Sequence, residues 1–114
     1  MHQSVMVAES LDLLGIRTGG RYVDGTAGSG GHAEALLQRA EGRVEMLLVD
    51  RDRDALDRSR ERLKSWGRAC MFAHGNFAEM ATLVAAQGWQ TVDGVLLDLG
   101  VSSLQLDSPE RGFS

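Results

Sequence analysis

Three aspartates close short apolar runs in this chain. Asp24 ends Arg21-Tyr22-Val23-Asp24, Asp50 ends Val44-Glu45-Met46-Leu47-Leu48-Val49-Asp50, and Asp98 ends Val92-Asp93-Gly94-Val95-Leu96-Leu97-Asp98. Between the first two lies Gly25-Thr26-Ala27-Gly28-Ser29-Gly30-Gly31, with four glycines in seven residues. A carboxylate that ends a buried strand points into the crevice shared by neighbouring strand ends, where nucleotide-like cofactors bind. Asp50 falls twenty residues after Gly30, the spacing at which Rossmann-like proteins place an acid to accept both ribose hydroxyls. Hydrogen bonds to a charged group contribute ~1.5–3 kcal/mol net, so one such acid can anchor a nucleoside. A second use competes for the same position: Asp50 or Asp52 can cap the helix that follows.

The acids also bear on which cofactor fits. Gly28-Ser29-Gly30-Gly31-His32-Ala33 matches the GxGxxA dinucleotide pattern, a weak signal by itself, and a bare turn would also use glycine for positive φ. Asp24 would bring negative charge toward a pyrophosphate. S-adenosylmethionine has no phosphate and carries a cationic sulfonium, so a ring of carboxylates favours it over NAD. Phe77 follows the third apolar run, where an adenine would lie and an aromatic face can stack on it. Its plainer use is as a staple on its own helix. His32 opens a helix, where a structural role is the default.

These residues need strands and helices to hold them. Val7, Leu11 and Leu14 fall at helical spacing over 5–14, with Gly15 as a stop. Arg21 to Asp24 is the first strand. Ala33, Leu36, Leu37 and Ala40 make one helix face that ends at Gly42, and Val44 to Asp50 is a buried parallel strand. A helix follows from Asp54 to Trp66, then a strand over Ala69 to Ala73, a loop at His74 to Phe77, a helix over Ala78 to Gln87, and a fourth strand over Val92 to Asp98. Strands alternating with helices predict an α/β fold with a parallel sheet, in the spatial order 3-2-1-4. Between residues 51 and 68, Arg51, Arg53, Arg58, Arg60, Arg62, Lys64 and Arg68 interleave with acids. Mixed signs describe a solvated helix face better than an RNA-binding patch.

Composition narrows the class. The chain has 114 residues, 43% hydrophobic and 25% charged, with a net charge of −4. That suffices for one small domain with a core and does not suit a stand-alone nucleic-acid binder, which is usually basic. No apolar run reaches a membrane span, and Met1-His2-Gln3-Ser4 begins no signal peptide. The reading is cytoplasmic, with no membrane partner. Cys70 stands alone and reads as a core residue. Three scattered histidines offer no metal-ligand spacing, so no metal is expected.

Several blocks together resemble the MraW family of bacterial 16S ribosomal RNA cytosine N4-methyltransferases. They are His2 to Glu9, Tyr22 to His32, Val49-Asp50-Arg51-Asp52, His74-Gly75-Asn76-Phe77 and, most specific, Asp93 to Asp107 with Glu110-Arg111-Gly112-Phe113-Ser114. The resemblance runs through the whole chain. It implies a Rossmann-like class I methyltransferase fold, S-adenosylmethionine as cofactor, and a cytidine of the small ribosomal subunit as target. Carried over by motif, the cofactor would touch Gly30, Gly31 and His32, Asp50 would hold the ribose, Phe77 would meet the adenine, and Asp98 and Gln105 would line the methionine side. Asp98 is also the expected acceptor for the cytidine amine. Amino-methyltransferases often carry Asp/Asn-Pro-Pro-aromatic there. Here Leu99-Gly100-Val101 replaces the last three, which leaves room for Ser102 or Ser103 to share the amine-facing role of Asp98.

The class I sheet has seven strands and this reading finds four. The chain therefore reads as the N-terminal half of the fold, residues 1–114, without the substrate-recognition insert and the later strands, and inactive on RNA by itself. Strand 4 would keep an unpaired edge, a template for association such as homo-oligomer formation. A non-catalytic nucleotide-binding or assembly module is the alternative reading, and an NAD-binding Rossmann domain a weaker one.

Overall fold

The computed structural model describes residues 15–25, 28, 30–97 and 100–102, without the side chains of Phe77, Leu97 and 100–102. The helix expected over 5–14 lies outside the described residues. Five strands form one sheet in the order β3-β2-β1-β4-β5: β1 Arg21–Asp24, β2 Glu45–Asp50, β3 Cys70–His74, β4 Gly94–Leu97 and β5 Gly100–Ser102. Helix α1, Gly31–Ala40, joins β1 to β2. Helix α2, Arg53–Leu63, leads from β2 toward β3, and α3, Met80–Ala86, from β3 toward β4. The pairs β1–β2, β2–β3 and β1–β4 are all parallel, so the expected order 3-2-1-4 holds.

Handedness explains the layering. The β1-to-β2 and β2-to-β3 crossovers step the same way across the sheet, so right-handed connections put α1 and α2 on one face. The β3-to-β4 crossover returns the other way and puts α3 on the opposite face. The apolar runs serve both faces by strand alternation. Tyr22, Met46, Leu48 and Leu96 pack with Leu36, Leu37, Leu56 and Leu63. Val23, Leu47, Val49 and Val95 pack with Met80, Val84, Trp89 and Val92. A sheet covered on both faces needs continuous apolar runs, and that is what the sequence carries.

The expected edge on strand 4 is not there. β5 runs antiparallel along β4, pairing Val95 with Ser102, Leu96 with Val101 and Leu97 with Gly100. The chain itself fills the ladder that was expected to recruit a partner, so association through a bare β4 edge is overturned. Only Asp98 and Leu99 separate the two strands in sequence. Three residues are too short for a period-2 signal to stand out.

Boundaries moved where glycine and 3-10 turns intervene. The helix predicted over Asp54 to Trp66 ends at Leu63, and a 3-10 segment, Lys64–Ala69, continues to β3 with Gly67 at φ 58°. At the amino end of the sheet, Asp93 accepts from the Arg21 amide at 2.8 Å and pairs with the Arg17 guanidinium. Among the described residues no helix is long and apolar enough to cross a membrane.

Candidate functional site

The site forms where β1 and β2 end. Beyond Asp24, the Gly25 amide donates to the Leu96 carbonyl at 2.8 Å, carrying the β1–β4 ladder one residue into the glycine loop. Asp24 itself is 1% exposed. The loop closes at Gly30, which sits at φ 88° as the residue before α1. A Cβ there would lie 3.3 Å from the Ser59 Cβ and 3.4 Å from Leu63. Gly30 is therefore glycine for two reasons, the left-handed turn and the close approach of α1 to α2. The N-cap residue Gly30 has no side chain to cap α1, and the positive end of the helix dipole lies toward the loop. Gly31 is buried there and His32 half-buried.

The two uses of the acids after β2 fall on different residues. Asp52 is the cap of α2, accepting from the Asp54 amide at 2.9 Å and the Ala55 amide at 3.4 Å. Asp50 does not cap. Its Oδ2 accepts from the Gly28 amide at 3.0 Å and its Oδ1 from the Asp52 amide at 2.9 Å. A carboxylate at the carboxyl end of β2 is thus tied directly to the glycine loop after β1.

The segment from His74 at the end of β3 to Phe77, expected to be a loop, is built more tightly than the sequence reading recognised. His74 places Nε2 2.9 Å from the Arg51 carbonyl, and the Gly75 amide donates to the Asp50 carbonyl at 3.0 Å. A Cβ on Gly75 would meet Leu83 Cδ1 at 2.9 Å and Glu79 Oε1 at 3.1 Å. Asn76 and Glu79 form a reciprocal capping box: the Asn76 amide donates to Glu79 Oε1 at 2.9 Å and the Glu79 amide to Asn76 Oδ1 at 3.2 Å. The Asn-x-x-Glu spacing was the available signal. This box starts the 3-10 turn Phe77–Glu79 that leads into α3, and so fixes the backbone of Phe77.

The structure therefore brings Gly30, Gly31, His32 and Asp50 together at one end of the sheet and starts the turn at Phe77 beside them. Asp98 and Gln105 lie outside the described residues, as does the Phe77 side chain. Within the basic run at 51–68, Arg60, Arg62 and Lys64 each meet a different neighbour. Arg60 lies over the Phe72 ring at 5.1 Å on the β3 side. Arg62, about 200° further round the helix, pairs with Glu34 of α1 at 2.8 Å. Lys64 pairs with Glu61, which raises its pKa by hydrogen bonding and charge. A cavity of about 370 Å³ bordered by Ile16, Thr18, Arg39 and Arg43 sits at the opposite end of the sheet, by the end of α1. Cys70 is half-buried on β3, and burial pushes its thiol up to about 11, as befits a packing residue.

The fold is that of the Rossmann-like methyltransferases. The crystal structure of PH0851 superposes with a TM-score of 0.69 at 23% identity, over 86% of this chain and 22% of that one. A protein-L-isoaspartate O-methyltransferase gives a TM-score of 0.69 at 14% identity, over 85% of this chain and 29% of that one. The sequence goes further than the fold: the profile of the MraW methylase family matches residues 1–114, and the chain belongs to that family. Ribosomal RNA small subunit methyltransferase H of Desulfovibrio desulfuricans is 50% identical over 99% of this chain and 34% of its own length. The proteins of the same name from Nitratidesulfovibrio vulgaris and Pelobacter propionicus are 44% and 49% identical, over 32% and 36% of their lengths. The chain thus spans about a third of the curated relatives it matches.

Proposed function

We propose that this chain is the cofactor-binding part of an S-adenosylmethionine-dependent methyltransferase acting on the N4 amine of a cytidine in 16S ribosomal RNA. One structural observation carries the cofactor reading: the Asp50 carboxylate, at the end of β2, is bonded to the Gly28 amide of the glycine loop. Such a junction suits a ligand with a ribose for the carboxylate and an anionic tail for the start of α1. The acids Asp24 and Asp50 suit its positive charge. The ribosomal RNA target rests on family membership and on the names of the relatives.

In this reading Gly30, Gly31 and His32 contact the cofactor at the start of α1, Asp50 accepts from its ribose, and Phe77 meets its adenine. Asp98 and Gln105 line its methionine side. Bound S-adenosylmethionine supplies an electrophilic methyl group. The chain's own task is alignment and hydrogen bonding. A cytidine amine is a weak nucleophile because its lone pair is shared with the ring, so it must be held in line with the methyl group, with the base out of its stack. Asp98 accepts a hydrogen bond from the amine and orients it. The acidic balance of −4 fits a chain that leaves most RNA recognition to other residues of a longer protein, which works in the cytoplasm on the small subunit.

The test is methyl transfer by the full-length protein from labelled S-adenosylmethionine to small ribosomal subunits, with the modified nucleoside identified after digestion. N4-methylated cytidine is the expected product, and Asp98→Ala removes it. Label on another nucleoside would refute the target, and full activity in Asp98→Ala would refute that residue's role.

A further inference from the structure

The motif His74-Gly75-Asn76-Phe77 contributes only Phe77 to the proposed cofactor site, yet its first residue holds the site's frame. The Arg51 carbonyl can only accept, so the 2.9 Å contact fixes the proton of His74 on Nε2 as donor. The next amide, Gly75, donates to the Asp50 carbonyl at 3.0 Å. Two successive carbonyls of the β2 exit, Asp50 and Arg51, are therefore clamped by two successive residues of the β3 exit. From the clamped segment the Asp50 side chain reaches back to the Asp52 amide at 2.9 Å and across to the Gly28 amide at 3.0 Å. The exits of three neighbouring strands are joined in one hydrogen-bonded strap.

We propose that His74 is a positioning residue of the cofactor site: by holding the Arg51 carbonyl it sets the Asp50 carboxylate against both the glycine loop and the cofactor ribose, without touching the cofactor. The proposal rests on the cofactor reading for its second half only, since the Asp50–Gly28 bond exists in the protein alone. His74 is exposed, so its removal leaves no cavity and the core survives. Deleting the ring frees Arg51 and lets Asp50 swing, which loosens Gly28 first.

The test has two arms on the same variants. In the first, amide exchange is measured without ligand. His74→Ala is expected to speed exchange at Gly28 by about three- to tenfold, the equivalent of one hydrogen bond, with β1 and β2 interior amides unchanged. His74→Gln, whose amide reaches about as far as Nε2, restores protection. In the second arm, S-adenosylhomocysteine is titrated. His74→Ala weakens binding by about three- to tenfold, and this loss disappears in an Asp50→Ala background because His74 acts through Asp50. Unchanged Gly28 exchange in His74→Ala overturns the proposal, as does a binding loss that persists undiminished beside Asp50→Ala. Failure of the unmodified protein to bind S-adenosylhomocysteine would refute the cofactor reading, while the exchange arm still decides the role of His74.

Discussion

Asp50 and Asp52 stand two residues apart, carry the same side chain, and should fail in different ways. Asp52 caps α2 through the Asp54 and Ala55 amides. Asp52→Ala should cost about 1 kcal/mol of stability, a drop in Tm of roughly 4 °C for a chain of this size. Cofactor affinity should stay within about threefold, because the cap faces the helix and not the crevice. Asp50 gives its two oxygens to Gly28 and Asp52 and, in the proposed complex, to the ribose hydroxyls. Bonds from two hydroxyls to a carboxylate contribute about 1.5–3 kcal/mol each, so Asp50→Ala should weaken binding by at least about 100-fold. Its stability loss should be similar to that of Asp52→Ala, since water replaces part of what the half-buried carboxylate supplies. Thermal melts and calorimetric titration with S-adenosylhomocysteine give both quantities for both variants. Equal affinity losses in the two, or normal binding by Asp50→Ala, would refute the division of labour.

Gly30→Ala meets two penalties, a φ of 88° and a Cβ 3.3 Å from that of Ser59. It should lower stability by about 1–3 kcal/mol in denaturant melts, and a neutral result would mean the α1–α2 approach is slack. Cys70, with its thiol pushed up to about 11 by burial, should alkylate slowly at pH 8 and faster as the pH climbs through that value. A rate at pH 8 matching that of the unfolded chain would show the thiol to be unshielded. Because that folded value is raised, Cys70 favours the folded state below its unfolded pKa, and the contribution fades as pH rises toward 11.

The sheet was legible because its signals are long and repeated. Each of the first four strands is an apolar run between turn residues, and the right-handed crossover rule leaves little choice of order. β5 was not legible. Three residues carry no period of their own, and Gly100-Val101-Ser102 becomes a strand only because β4 lies beside it. The glycine loop and Asp50 were legible as candidate cofactor-site residues from strand-end position and spacing together. Which of Asp50 and Asp52 caps the helix was not, because both stand within reach of the same amides in sequence and only the path of the chain separates them. His74 stayed hidden for a similar reason: its partner, Arg51, is 23 residues away, and the pairing exists only once β2 and β3 lie side by side. The basic run at 51–68 shows the reverse case. Its mixed signs already described a solvated face, and the pairs with Glu34 and Glu61 show where those charges go.

The central claim is that the end of the sheet marked by Gly28, Gly30 and Asp50 takes a cationic, phosphate-free nucleoside. Parallel calorimetric titrations of the protein with S-adenosylmethionine, S-adenosylhomocysteine and NAD test it directly. The account predicts saturable binding of the first two, weakened by at least about 100-fold in Asp50→Ala, and none of NAD. Saturable NAD binding without binding of S-adenosylmethionine would contradict it.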